Sequence, residues 1–533
     1  MIYKTLLLAA LAASAQCIAA VPSQFIAKQY TEALGRAPDP AGWQGMTNYA
    51  LSAGCSAASL QSIAVSVFTS AEYTAKGYTA EESILTVYRA IFSREPDPTG
   101  YLLWVNQLKS GRTVAELLPA LMGSQEFADL VPAICSGNAY DPIGAPKQAI
   151  DIGAGSWTQA ALESCLNDHP VCSLPPRTVV YLNSRLTIPA GKVLETQGGY
   201  DHGMYARQAR IVRSSGPQDI LIVMQTGAVV RNVWVSGGRD LYKASLAARP
   251  LAQDNVYPNL NYVGGNGGVI QGVRSDAPLS ATHIATFPVP TPPVPTAPTA
   301  FRGSILIDNN LTTGYAQRHY ADGTPVAWAD GISNHITNAT ITGNHIVDPT
   351  DVGIVIFGHD GSTQASTAAN NLIVHAGHSA YGSLGLDATQ CRYAHTACRF
   401  AGTGFSDNTI FAGRNQHVDI VLFNGTGAWA PPACTGVRDS YCATGGQMHN
   451  NHTILGDANQ TLMAQVGIDV DGMTEAVTRG NQLNVVAPAP VAGATMRCRQ
   501  DQAPMILNAL SRGHASGVLQ AGADADIDRC IGH

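Results

Sequence analysis

The segment NATITGNHIVD, residues 338–348, followed by GIVIF at 353–357, decides how this chain is read. A small polar pair stands before an apolar pair, turn residues follow, and a second run alternates apolar residues with the period of two that marks a half-buried strand. Four other stretches overlay on it: GSILIDNNLTTG (303–314), STAANNLIVHAG (366–377), GTGFSDNTIFAG (402–413) and GGQMHNNHTILG (445–456). Each is followed by its own second strand, DGIS at 330, SLGLD at 383, DIVLF at 419 and GIDVD at 467. Start-to-start spacing runs from 28 to 43 residues, so the repeat is irregular and its insertions fall in loops. A strand–turn–strand unit cannot bury its apolar face alone, whereas stacked units build a continuous core. Asn309, Asn344, Asn370 and Asn408 fall at equivalent places and are expected to form an amide ladder inside the stack.

This pattern, over roughly residues 150–490, resembles the right-handed parallel β-helix proteins of the pectate-lyase-like superfamily. The resemblance implies a solenoid over 156–533, with a helix in SWTQAALESCLND (156–168) covering one end of the core and the region after Met505, MILNALSRG, covering the other. A β-sandwich is the structural alternative. The proline-rich FPVPTPPVPTAPTAF (287–301) has to be extended and reads as an excursion beside the stack, because windings occur on both sides of it.

Ahead of the solenoid, residues 24–135 carry a different repeat. ALGRAPDPAGWQ begins at Ala33 and IFSREPDPTGYLLW at Ile91, with Arg36 and Arg94 in matching places. In each copy an Asp-Pro pair, Asp39-Pro40 and Asp97-Pro98, puts an acceptor at a helix N-cap and proline at the first helical position, where its missing N–H costs nothing. FTSAEY at Phe68 and MGSQEF at Met122 repeat a second element, with Ser70 and Ser124 as caps. These units resemble a small helical domain of unknown function found on secreted bacterial proteins, and the resemblance implies attachment, interaction or plain spacing rather than chemistry. Residues 136–155, rich in Gly, Ala and Pro, read as a linker. The fold expected overall is an all-β right-handed parallel β-helix preceded by a small all-α domain.

Bulk composition narrows the function classes. The chain has 533 residues, 45% hydrophobic and only 13% charged, with 53 glycines and a formal net charge of −7. No lysine follows Lys243, and that balance argues against nucleic acid or an anionic membrane as partner. The opening twenty residues have one Lys, an apolar run and small residues at Ala15 and Ala20, the layout of a secretory signal peptide. A lipoprotein signal at Cys17 is the competing reading, with Gln16 where a small residue is wanted. No later segment reaches the roughly 20 apolar residues of a transmembrane helix. The protein is therefore expected to be secreted, periplasmic or on the cell surface.

Cleavage after Ala20 leaves ten of eleven cysteines, and close neighbours suggest five disulfides: Cys55–Cys135, Cys165–Cys172, Cys391–Cys398, Cys434–Cys442 and Cys498–Cys530. Without a C-x-x-C spacing, zinc is not indicated.

Chemistry is sought around VDPTDVGIVIFGHDG (347–361), which crowds Asp348, Asp351, His359 and Asp360 about an apolar run. With Ile354 and Ile356 inward, alternation turns Asp351, Gly353, Val355 and Phe357 outward, and Leu384 and Leu386 inward turn Asp387 outward. Asp330 starts the preceding strand. Adjacent windings lie about 4.8 Å apart, so acids one or two windings apart stand at separations that two-carboxylate glycosidases use. Arg318, His319, Tyr320 and Trp328 precede Asp330, while His378 and Tyr381 precede Asp387, and such rings and imidazoles suit sugar faces and hydroxyls.

The expected activity is cleavage of a polysaccharide or oligosaccharide by a glycoside hydrolase, with Asp330, Asp351 and Asp387 catalytic and Asp348, Arg318, His319, Tyr320, Trp328, His359, His378 and Tyr381 binding substrate. ADGIS resembles the Asp-Gly element of polygalacturonases and FGHDG loosely their GHG element, but no paired DD follows. VDPTD resembles the DPH element of mannuronan epimerases with Thr350 in place of histidine. A lyase or epimerase on a uronic-acid polymer is thus the second class, needing Arg318, Arg392 or Arg399 as base. A non-catalytic adhesion protein is the third. No metal is firmly implied; calcium is open, with Asp469 and Asp471 of GIDVDG as structural acids or a weak site. Parallel β-helices often trimerise, so a homotrimer is also open.

Overall fold

The computed structural model describes residues 21–138, 140, 157–199, 203–214, 220–239, 258–279, 281–287, 302–314, 329–359, 363–388, 398–413, 416–425, 443–453, 462–471, 473–474, 476–483, 485–486, 497–500 and 503–506. The expected leader (1–20), most of the linker, the proline-rich segment from 288 and the chain after 506 lie outside these.

Among the described residues three sheets of 11, 9 and 12 strands run the length of the stack, and, up to the last few strands, each pairs with the one three places on in sequence. Among the described residues every pairing is parallel except a hairpin, Arg497–Gln500 with Ala503–Ile506. One strand from each sheet makes one winding, so the chain coils as a right-handed parallel β-helix. That arrangement rules out the sandwich, whose sheets are antiparallel. The core is one continuous cluster reaching from Leu162 and Cys172 to Ile468 and Leu483. The helix Gln159–Asp168, capped by Thr158 on the Ala161 N–H at 3.1 Å, closes its first end with Leu162 and Leu166.

The amide ladder sits at the corner between the first and second sheets, in a frame corrected at two places. Its rungs are Asn310, Asn344, Asn371, Asn408, Asn451 and Asn481. Each rung's Oδ1 accepts both the backbone N–H and the side-chain amide of the rung before it, at 2.8–3.2 Å. Asn309 and Asn370, expected as rungs, instead take the left-handed bend just before one, with φ of 51° and 56°.

The N-terminal region is helical, and its two motifs prove to be two halves of one device. Asp39 and Asp97 cap their helices on the N–H groups of Gly42 and Gly100, at 2.9 and 2.8 Å. Ser70 and Ser124 cap theirs on Tyr73 and Phe127. Arg36 then forks onto Glu72, and Arg94 onto Glu126, so the arginine of each first motif grips the glutamate of the second. Each guanidinium also lies over a ring, Tyr30 or Tyr88.

This helical region is docked on the outer face of the second sheet. Trp234, Leu311, Val347, Val374 and Phe411 from that face join the helices' own apolar cluster, and Trp43 meets Phe411 with ring centroids 5.1 Å apart. Arg210 and Arg274 hold Trp234 at 4.0 and 4.1 Å from its ring centre, with Arg89 at 4.5 Å. Glu32 binds Arg274 at 2.6 and 2.7 Å, and Glu95 binds Arg210 at 2.7 Å and Arg89 at 2.8 Å. Burial works to raise the Glu32 carboxyl, but the Arg274 charge and its hydrogen bonds outweigh it and hold the group at about 2.

Cys55–Cys135 and Cys165–Cys172 are bonded, with Cα separations of 5.6 and 5.5 Å. Cys398 is also disulfide-bonded; its expected mate Cys391, like Cys434, Cys442 and Cys530, lies outside the described residues. Among the described residues no helix is long and apolar enough to cross a membrane.

Candidate active site

The candidate site lies on the outer side of the third sheet. Ile332, Ile354, Leu384, Leu422 and Ile468 form one inward row in register across five strands. The residues that follow them, Ser333, Val355, Gly385, Phe423 and Asp469, form the matching outward row.

At the start of two strands this alternation slips by one residue. A Cβ added at Gly331 would meet the Ile346 side chain at 2.6 Å, and one at Gly353 would meet Ile373 at 3.2 Å. Both neighbours belong to the core, so Gly353 faces inward rather than outward as expected. Two successive inward residues return Asp330 and Val352 to the outer side, where Val352 packs with Val355, Ile420 and Phe423 away from the main core. Glycine makes the slip possible because no side chain has to enter the packed interior.

Asp330, buried to 8% exposure, is fixed by two donors. The Val352 N–H reaches Oδ1 at 2.9 Å and the Ser333 hydroxyl reaches Oδ2 at 2.6 Å. Burial, then the Asp351 charge and more weakly that of Asp387, push the Asp330 carboxyl well above the usual carboxylate range; the Ser333 and Val352 hydrogen bonds offset only part of this. Asp351 sits beside it, half-buried, its N–H donating to the Ala329 carbonyl at 3.1 Å and its own carbonyl accepting from Tyr381 and Gly382 at 3.0 Å. Asp387, buried, ends its strand in register with Phe357. The Asp351 and Asp387 carboxyls thus lie within electrostatic reach of Asp330.

The remaining expected residues fall into four groups. Tyr381 and Phe357, both half-buried, lie against the outer apolar cluster of Val352, Val355, Ile420 and Phe423. His359 lies beside His335, Nε2 to Nδ1 at 3.1 Å. Asp348 is in the corner between the second and third sheets, at φ 55°, where Oδ1 accepts the N–H groups of Gly377 and His378 at 2.9 and 3.2 Å. Its carboxylate is therefore engaged in tying one corner to the next, with His378 buried beside it. Arg318, His319, Tyr320, Trp328, Asp360 and Arg392 lie outside the described residues.

Two residues of the face escaped the sequence reading. Ser333 and His335 are not among the candidates drawn from the sequence. Both are one step off inward neighbours, Ile332 and Asn334, so extending the alternation past DGIS finds them. Asp469, in the outward row, is buried. Among the described residues no three His, Cys, Asp or Glu side chains converge as metal ligands, at GIDVDG or elsewhere.

Comparison with known proteins adds the following. Residues 64–131 match a family described as a domain of unknown function, DUF4214. No curated protein matches the chain. Among solved structures it is similar to the pre-mature gene product 12 of bacteriophage phi29, at 12% identity and TM-score 0.30 over 64% of this chain and 52% of that one. It is also similar to an endo-xylogalacturonan hydrolase from Aspergillus tubingensis, at 14% identity and TM-score 0.32 over 62% and 95%. A third is the catalytic domain of a GH87 alpha-1,3-glucanase in complex with nigerose, at 14% and 0.31 over 72% and 70%. The chain spans about half the length of the phage protein.

Proposed function

We propose that this chain cleaves a polysaccharide by glycoside hydrolysis on the outer face of the third sheet. Asp330 is the proton donor, Asp351 the ionised partner that attacks or activates water, and Asp387 an auxiliary carboxylate. The feature that carries the reading is the unequal pair: a buried carboxyl whose surroundings favour its protonated form beside a carboxyl that is partly open to solvent. Glycoside hydrolysis needs that division, one group to protonate the leaving oxygen and one to stabilise or attack the anomeric carbon. Tyr381 and Phe357 offer ring faces to the C–H side of a sugar. Arg318, His319, Tyr320 and Trp328, which precede Asp330 in the sequence, are proposed from the sequence alone to add to the grip on substrate.

The test is release of reducing ends from a broad panel of glycans by wild type, Asp330→Asn and Asp351→Asn. Each substitution is expected to lower kcat by about 10²–10⁴-fold or more. Full activity in either variant overturns the assignment, and products that absorb as unsaturated uronates identify a lyase instead.

A further inference from the structure

We infer that the helical region is a brace for the corner that carries Asp351, with Gln24 and Asp348 as positioning residues, so that loosening the helices from this corner weakens the chemistry of the face. What Asp351 does there rests on the hydrolase reading; the brace itself rests on contacts alone.

Asp348 and Asp351 lie in one corner, between the strand His345–Val347 of the second sheet and the strand Val352–Phe357 of the third. The corner one winding on, between Leu372–His375 and Ala380–Asp387, runs beside it and holds it at both ends. Gly377 and His378 donate their N–H groups to Asp348 Oδ1, at 2.9 and 3.2 Å. Four residues later Tyr381, and then Gly382, donate theirs to the Asp351 carbonyl, each at 3.0 Å. From the preceding winding Ala329 takes the N–H groups of Thr350 and Asp351 on its carbonyl, at 3.1 Å, and gives its own to Thr350 Oγ1, also at 3.1 Å. The pitch of the coil sets which winding Asp351 belongs to, and these bonds set how it sits there.

The helical region meets the bracing corner with both of its ends. Val347, Val374, Ala376 and Phe411 already belong to its apolar cluster. Gln24, in the helix Ser23–Lys28, lies over Gly377, where an added Cβ would meet its side chain at 2.8–3.0 Å. Ser23 lies over Gly413 in the same way, at 2.6 Å. Glycine at these two places lets the helix approach the backbone itself. At the other end of the region the Tyr140 N–H donates to Gln24 Oε1 at 2.8 Å, and Gln416 donates to the Gly137 carbonyl at 3.2 Å.

These ties are polar and buried, which apolar docking alone does not require. Burying Gln24 and Asp348 costs free energy that hydrogen bonds only offset. For Asp348, burial raises the carboxyl above its ordinary range, although the His378 charge and the N–H groups of 376–378 oppose this. What such a network supplies is direction: it admits one arrangement of the corner where apolar packing admits several. The Asp351 charge is in turn the largest cause, after burial, of the raised Asp330 carboxyl. If Asp351 shifts away, Asp330 releases its proton at lower pH, a change readable without any substrate.

The experiment uses the full chain as wild type, Gln24→Ala, Asp348→Ala, Asp348→Asn and Thr113→Ala, the last removing the cap of a different helix of the same region, Val114–Met122. On a glycan that wild type cleaves, Gln24→Ala and Asp348→Ala are expected to lower kcat about 10- to 100-fold with KM within about twofold. Asp348→Asn, whose Oδ1 accepts the same two N–H groups, recovers most of the loss. Thr113→Ala lowers the melting temperature and leaves kcat as it was. In parallel, carboxyl-carbon NMR follows the labelled aspartates through a pH titration, with the Asp330 signal identified by its loss in Asp330→Asn. Its midpoint is expected to fall in Gln24→Ala and Asp348→Ala and to stay in place in Thr113→Ala. An unmoved midpoint in either of the first two, raised KM at constant kcat in Asp348→Ala, or equal losses in Thr113→Ala overturns the brace. A midpoint that falls as expected in a protein that cleaves no glycan overturns the hydrolase reading and leaves the brace standing.

Discussion

Asp330 receives hydrogen bonds from Ser333 and from the Val352 N–H that favour its charged form, yet burial and the neighbouring Asp351 favour the neutral form and win. Removing one donor tips the balance further. In Ser333→Ala the Asp330 carboxyl keeps its proton to still higher pH, so the alkaline limb of kcat/KM moves upward; a pH–rate profile reads this directly. Stability has its own sign. A carboxyl that binds its proton more tightly folded than unfolded contributes fully below its unfolded pKa and loses that contribution as pH rises through its folded value. Asp330→Asn, isosteric and neutral at every pH, is therefore expected to melt above wild type on the neutral side of that window, while kcat falls by the factor given above. Identical melting of the two proteins from pH 4 to pH 8 contradicts a proton held on Asp330. At this scale the sequence is read best where neighbours differ. In the Asn-Asn pairs 309–310 and 370–371 either residue satisfies the pattern, and only the backbone decides which bends and which becomes the rung.

Elements bring stricter accounting. The Asn371 side chain makes four hydrogen bonds at once: it accepts from the Asn344 N–H and side-chain amide, and donates to the Ile341 carbonyl and to Asn408 Oδ1. Asn371→Ala leaves those groups buried and short of a partner, at about 1–3 kcal/mol apiece before relaxation, so a loss of roughly 3 kcal/mol in a urea titration is expected. On the third sheet the Phe423 ring lies directly over Gly385, where an added Cβ meets the ring atoms. Gly385→Ala is expected to cost about 1–3 kcal/mol by overpacking, and Phe423→Leu in the same chain to return much of it. A double-mutant cycle by thermal melting without positive coupling refutes that contact. The strands and their inward rows were legible from period-two alternation alone. The slip at Gly331 and Gly353 was not, because a glycine gives the pattern no sign of which side it faces, and the site's geometry depends on it.

Taken whole, the molecule is less modular than its sequence suggests. Trp234, Val347, Val374 and Phe411 read as ordinary strand residues, and nothing in their spacing says that a helical region covers them, since both partners of such an interface have complete patterns of their own. The charges at that interface give a sharp expectation. Glu32→Gln leaves Arg274 buried without its counterion, and loss of one partner of a buried pair costs about 3–5 kcal/mol. The acid dependence follows from a carboxyl depressed to about 2: its contribution is whole above the unfolded value near 4.5 and disappears as pH falls from there toward 2. Melting curves between pH 2 and pH 7 are expected to show this slope in wild type and a shallower one in Glu32→Gln.

Because Asp330 and Asp387 lie in the strands Ala329–Asn334 and Ala380–Asp387 of a single sheet, and Asp351 immediately precedes the strand Val352–Phe357 between them, the pitch and register of the coil, more than the length of the segments that join its turns, set the gaps between the acids. Lengthening or exchanging a connecting segment away from the Asp351 corner alters what the face grips while leaving the spacing of its acids untouched. Only gain or loss of an entire turn retunes it, so diversification of ligand and preservation of chemistry are mechanically separate in this architecture.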